Sequence, residues 1–276
     1  MWLISHSSYA IIIQGKIIFR GVKMKKYLLY SVALMSFSYP VLTHAIGIEA
    51  SIGIWNQDPS GYIGYKVQNE ADRIDVNQNL GYGKKTRPIG RVKIDLPFFL
   101  PNIYVMATPM KFEGTGRKGT DFKFGDKTYR ANQTFYSEVK ADHYDIALYY
   151  RVPFLKGLTK GVLNVEFGPN IRVLDLSLKV QQENITESKK LTVPVPMLYV
   201  GIQLQPTKFL KAEGELRGIS YSSNHYYDFI GRLKIYPHKA LFLAGGYRYQ
   251  ELKVKESSVD TKLKLKGPFV EAGFEF

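Results

Sequence analysis

The sequence predicts an all-β protein: a closed antiparallel transmembrane up-and-down β-barrel of about ten strands, with eight or twelve as alternatives. Three observations predict it. From Ile46 onward, apolar and polar residues alternate with a period of two, in segments longer than most globular strands. The connections alternate between short Pro-containing turns and long polar loops, the asymmetry of transmembrane barrels. The 276-residue chain also ends on an aromatic, in FVEAGFEF, where a soluble domain would usually fray.

The elements follow in chain order. Residues 1–23 match no targeting pattern and read as a spurious N-terminal extension. Residues 24–45 read as a signal peptide: Met24-Lys25-Lys26 is a charged start, Tyr27 to Val41 an apolar stretch, and Thr43-His44-Ala45 a cleavage site before Ile46. The barrel, 46–276, begins with a strand over about 46–56. A long polar loop over 57–85 leads to strands at 86–96 and 101–112, joined by LPFFLP. A second long loop, 113–134, precedes the strand 135–152. Segment 161–179 changes phase near Val173-Leu174, which reads as a bulge. Segment 189–205 contains Pro194 and Pro196, awkward in a fully paired strand. Strands at 208–221, 225–237, 239–255 and 259–276 complete the set, and ten strands place both ends on the short-turn side.

Composition narrows the chemistry. With no cysteine, the chain has no disulfide, thiolate metal site or Cys nucleophile. Residues 1–45 carry five basic residues and no acidic one, so without them the formal charge falls from +14 to +9. No basic cluster accompanies a nucleic-acid motif, so nucleic acid is not an expected partner. No HxxE or paired-His spacing suggests a metal, and no cofactor is expected.

Each strand has one apolar and one charged face. In lipid, backbone groups must pair within the protein, which a closed sheet achieves without an edge. Apolar faces then turn outward and charges inward. The expected interior contains Arg91, Lys93, Asp95, Asp145, Arg151, Glu166 and Arg172, and an ionic network of Glu213, Glu215, Arg217, Asp228, Arg232, Lys234, Arg248 and Glu271, with Glu275 at its end. Such charges need mutual pairing, because isolated burial is very costly. Tyr149-Tyr150, Tyr226-Tyr227, Tyr236, Tyr247-Tyr249 and Phe274-Phe276 read as interfacial girdles.

The segment IGIEASIGIWNQDPSGYIGY, the Gly245-Gly246 pair in LAGGYRYQ and the terminal Phe resemble an uncharacterised family of small outer-membrane β-barrels marked by a Gly-Gly motif. The resemblance spans 46–276 and implies a monomer or small homo-oligomer of unknown activity in the outer membrane of a Gram-negative bacterium. The ending, with Phe276, Phe274, Ala272 and Val270 on one face, also resembles the signal by which the barrel-assembly machinery recognises its clients. Taken by its physics alone, Gly245-Gly246 makes room for bulky neighbours in a curved sheet.

Catalytic candidates are sparse. His143 and Asp145 share one strand face, and His225 lies near Asp228, beside Ser222 and Ser223. Omptin-type proteases use Asp/His sets and lipid A deacylases use His, Ser and Glu, but neither local motif is reproduced here. Lys84, Lys85, Arg117, Lys118 and Lys123 in the long loops are expected to meet lipopolysaccharide phosphates. The expected role is therefore a non-enzymatic barrel acting in envelope structure or through its surface loops. A narrow channel and an outer-membrane enzyme are the alternatives.

Overall fold

Strand pairing runs without interruption around a closed ring in the computed structural model, which describes residues 46–276 except Phe98 and Ser257. The expected extension and signal peptide lie outside the described residues. The strands are β1 (Gly47–Ile63), β2 (Ile74–Asp75), β3 (Lys85–Asp95), β4 (Asn102–Thr108) and β5 (Lys111–Arg117). There follow β6 (Phe122–Phe124), β7 (Lys127–Tyr129), β8 (Thr134–Arg151), β9 (Leu163–Gln182) and β10 (Ile185–Thr207). The last four are β11 (Leu210–Tyr221), β12 (Asn224–Ile235), β13 (Leu241–Glu256) and β14 (Val259–Glu275). Ten antiparallel strands form the wall, β4 and β5 counting as one, and β14 pairs with β1 to close it.

β4 and β5 are separated by Pro109, which has no N–H to give the ladder. Both nonetheless pair with β8 in one continuous register, Thr108 opposite His143 and Lys111 opposite Lys140. Pro194 and Pro196 are accommodated differently. β10 pairs with β9 along Ile185 to Leu204, but with β11 only from Leu198 onward. The two prolines share one parity, so their missing donors fall on the side where β10 has no neighbour, which keeps that edge from recruiting another strand.

The expected bulge near Val173-Leu174 is absent: β9 keeps one register against both β8 and β10 throughout. What changes is the barrel's filling. Arg172 and Asn170 face an ionic interior, whereas Leu174, Leu178 and Val180 on the same face meet an apolar one. That apolar layer seals the long-loop end. It combines Trp55, Ile63, Ile74, Val76, Leu80, Met110, Phe112, Leu263 and Leu265 with the β6–β7 hairpin, whose Phe122 stacks on Tyr129 at 5.0 Å and tilts against Phe135 at 5.1 Å. The long loops thus form a folded cap. On the outside, Ile52, Val105, Ile146, Ile171, Leu198, Leu233 and Val270 make an exposed apolar belt.

Candidate functional site

Inward positions recur every second residue, so β11 presents Lys211, Glu213, Glu215 and Arg217 in one column, and β12 presents Asp228, Arg232 and Lys234. The register sets Glu213 opposite Arg232 and Arg217 opposite Asp228. In the tier nearest the short turns, the Lys234 ammonium donates to Glu49 and Glu213, each at 2.6 Å. Arg91 bridges Glu49 and Glu271, the latter at 3.1 Å. Arg232 Nη1 donates to Glu213 at 2.9 Å and to Glu215 at 2.5 Å. Lys93 donates to Glu166 at 2.9 Å inside an aromatic cage of Tyr104, Tyr149 and Tyr199. Arg217 lies between Tyr104 and Tyr199, 4.7 and 5.0 Å from their ring centres, and reaches Glu215 at 3.1 Å.

The tier beneath the cap is tighter. Arg172 grips Asp145 with two bonds of 2.9 Å and reaches Asp228 at 2.5 Å. Arg248 grips Asp228 at 2.9 and 2.7 Å, donates to Thr108 at 2.9 Å and stacks over Trp55 at 4.8 Å. His143 Nδ1 lies 3.1 Å from the Ala141 carbonyl, which only accepts, so Nδ1 carries the proton. Its Nε2 then accepts from the Gln250 amide at 3.0 Å.

His143, Asp145 and Asp228 offer ligand atoms within 4.8 Å of one another. A metal nevertheless does not fit this arrangement. Both carboxylates are already occupied by guanidinium forks, and a dication would sit against Arg172 and Arg248. Substrate has no room either: the two voids in the apolar layer above measure about 10 Å³ each, the space of one water. A cavity of about 350 Å³ opens at the short-turn end between Glu49, Asp95, Arg151, Tyr236 and Glu275.

The structure brings Glu213, Glu215, Arg217, Asp228, Arg232, Lys234, Arg248 and Glu271 together, each buried and each in at least one ion pair. Sequence reasoning missed Glu49 and Lys211 as members. The signal was there: Glu49 alternates with Ile48 and Ala50, and Lys211 begins the β11 column. The proposed girdle divides. Tyr149, Tyr226 and Tyr236 turn inward and are buried, whereas Tyr150, Tyr247, Phe274 and Phe276 face out. His225 does not join Asp228. It lies outside, stacked on Tyr227 at 5.0 Å and 3.5 Å from Glu251, while Ser222 and Ser223 are exposed. Asp228 partners His143's cluster instead.

Phe276, Phe274, Ala272 and Val270 share the outer face of the closing strand. Lys84 approaches Asp58 at 3.8 Å, and Lys85 begins β3. Arg117 is exposed at the end of β5. Lys118 and Lys123 brace the cap, donating to the Arg73 carbonyl and the Gln68 side chain at 2.8 Å each. Burial pulls the Lys118 ammonium below its ordinary value. A Cβ on Gly246 would lie 2.5 Å from the Phe269 ring, while one on Gly245 would meet nothing.

A sealed ring of strands with an apolar belt outside and paired ions within defines a β-barrel of the outer-membrane type. No family model matches the chain, and neither does any curated protein sequence, so the Gly-Gly pair assigns no family. Solved barrels do resemble it. The outer membrane protease OmpT from Escherichia coli superposes with a TM-score of 0.51 at 8% identity, covering 85% of this chain and 98% of that one. The translocator domain of the autotransporter NalP from Neisseria meningitidis gives 0.38 at 12% identity, covering 90% and 93%. Ail, the attachment invasion locus protein of Yersinia pestis, gives 0.34 at 7%, covering 84% and 99%. At such identities the likeness is one of fold alone.

Proposed function

We propose that this protein is an integral barrel of a Gram-negative outer membrane that acts in envelope structure or surface interaction through its capped outer end. It is a monomer or small homo-oligomer delivered through the periplasm, with Phe276, Phe274, Ala272 and Val270 read by the barrel-assembly machinery. One observation carries this reading. The interior is filled by mutually paired ions and closed by an apolar layer, leaving the folded loops as the surface offered outward. Lys84, Lys85 and Arg117 serve there as contacts for lipopolysaccharide phosphates, with Lys118 and Lys123 bracing the cap behind them. Planar-bilayer recording tests it: conductance stays near background for the purified, folded protein. Steady ion-selective steps would refute it.

Two observations favour the alternatives. The 350 Å³ cavity at the short-turn end gives a narrow channel a ready vestibule, should the cap be displaced. For an enzyme the observation is the convergence of His143, Asp145 and Asp228, which only displacement of the same cap would open to substrate. Turnover of peptide or lipid A that disappears in folded His143→Ala would establish the enzymatic reading over ours.

A further inference from the structure

On β14 the outward positions read Phe276, Phe274, Ala272, Val270 and Pro268, then Lys266, Lys264 and Lys262. The intervening Leu263, Leu265, Phe269 and Glu271 are buried, which fixes that parity. One strand face therefore passes from lipid-facing to cationic within a single step. The register places Lys262 beside Lys253 and Lys264 beside Glu251 of β13. Directly below, Tyr247 and Tyr249 hold the outward positions of β13, opposite Pro268 and Lys266.

Like charges opposite one another across strands are destabilising, and Lys253 faces Lys262 in this way. Glu251 is the carboxylate shared by Lys262, at 3.5 Å, and Lys264, at 3.9 Å, and it also takes the Tyr249 hydroxyl at 2.5 Å. Among the described residues no ion pair reaches Lys253 or Lys266. The far wall at the same edge of the belt is different. There Lys140 is held by Asp142 and Asp175 at 3.0 and 3.5 Å, and Lys111 by Glu113 and Glu138 at 3.0 and 3.1 Å. A solvated rim needs no such asymmetry. Surplus positive charge gathered on one face, over an aromatic shelf and an apolar ladder, matches an anionic head on a hydrocarbon tail.

We propose that the β13–β14 face binds a phosphorylated glycolipid of the surrounding leaflet. Its phosphates engage Lys262, Lys264 and Lys266, and its acyl chains lie along Pro268, Val270 and Ala272. The site rests on the reading of the long-loop end as the outer one, and it adds a lipid contact on the wall to those proposed for the loops.

Native mass spectrometry of the folded protein in detergent tests this, with bis-phosphorylated lipid A, its dephosphorylated form and inorganic phosphate as probes. Lipid A is retained, the dephosphorylated form is not, and inorganic phosphate does not displace it. The triple variant Lys262→Gln/Lys264→Gln/Lys266→Gln weakens retention at least about tenfold, while Lys111→Gln/Lys140→Gln on the far wall leaves it unchanged. Equal retention of both lipid forms, displacement by inorganic phosphate, or an equal loss in the two variants overturns the site. Should the triple variant not fold, judged by heat-modifiable gel mobility, a salt series on the unaltered protein decides. Retention that falls as salt rises supports the site, and salt-insensitive retention overturns it. Membrane fractionation of cells tests the outer-membrane reading separately, because it does not depend on these lysines.

Discussion

The backbone of Phe276 exchanges two hydrogen bonds with that of Ile48, its N–H donating at 3.0 Å and its carbonyl accepting at 2.8 Å. The last residue of the chain thereby closes the ring, while its side chain lies outside, stacked on Phe274 at 5.5 Å. Mutation separates these two roles. Phe276→Ala keeps the backbone pair and should fold in detergent within about 1 kcal/mol of the parent, yet its assembly in cells should fall severalfold. Deleting Glu275 and Phe276 removes the pair and the carboxylate that holds Lys211 and Tyr236, so it should fail in both settings. Heat-modifiable gel mobility reads folding and cell fractionation reads assembly. Normal assembly of Phe276→Ala in cells would end the case for an outward recognition role.

The guanidinium of Arg172 serves two carboxylates in the middle of the barrel, and its removal strands them. Arg172→Met should cost about 3–5 kcal/mol, most of it from uncompensated charge on Asp145. Adding Asp145→Asn should recover a large part of that loss, because Asp228 keeps Arg248 at 2.7 Å. Urea unfolding in lipid vesicles measures both variants. Strictly additive losses would mean that the pair is not energetically coupled.

How much of this was legible in the sequence follows from what alternation does and does not encode. β11 and β12 were readable nearly to the residue, because one face is charged and the other apolar along most of their length. β13 and β14 were readable because alternation continues even where the charged residues change sides, as from Glu271 to Lys266. β9 was harder to read. Its inward face turns from Arg172 to Leu174 where the filling changes from ions to cap, and one strand then looks like two. β9 and β10 also run on to Gln182 and Ile185, past the ends suggested by the pattern, because polar residues such as Ser188 and Lys190 are exposed beyond the apolar belt. Tyrosine direction was ambiguous for a physical reason: a phenol suits both an interface and a cation's flank, and Tyr199 and Tyr247 took opposite sides. The cap could not be read at all. Tyr65 meets Phe124 at 5.8 Å and Tyr82 meets Phe112 at 6.0 Å only because the strands bring distant segments together.

The cap has an acid-sensitive node. Asp72 accepts backbone N–H bonds from Gln68 at 2.9 Å, Asn69 at 3.1 Å and Lys123 at 2.7 Å. Burial pushes its carboxyl up, but these three donors outweigh it and hold it below the ordinary value. A lowered folded value means the stabilisation is complete above the unfolded value of about 3.9 and is lost as pH falls through the folded one. Hydrogen exchange, corrected for intrinsic rate, should show residues 66–73 and 121–125 losing protection between about pH 4 and pH 2, ahead of the barrel strands. Asp72→Asn should show weaker protection already at about pH 6, with little further change on acidification. Parallel loss of protection in cap and strands would mean the cap does not open on its own.

Gly245 and Gly246 are neighbours with opposite surroundings, and they should respond oppositely to one methyl group. Gly246 faces inward: an added Cβ would lie 2.2 Å from the Gly231 carbonyl and 2.5 Å from the Phe269 ring. Gly246→Ala must therefore push Phe269 and the β12 backbone aside, at a cost of about 1–3 kcal/mol. Gly245 faces the belt, where the same methyl meets no atom within 4 Å, so Gly245→Ala should stay within about 0.5 kcal/mol of the parent. Urea midpoints in vesicles decide between this packing account and a ligand-binding motif. A motif read by a ligand would make both substitutions damaging to binding while leaving stability equal. Packing makes them unequal in stability whether or not any ligand is present, since only Gly246 has Phe269 lying across it.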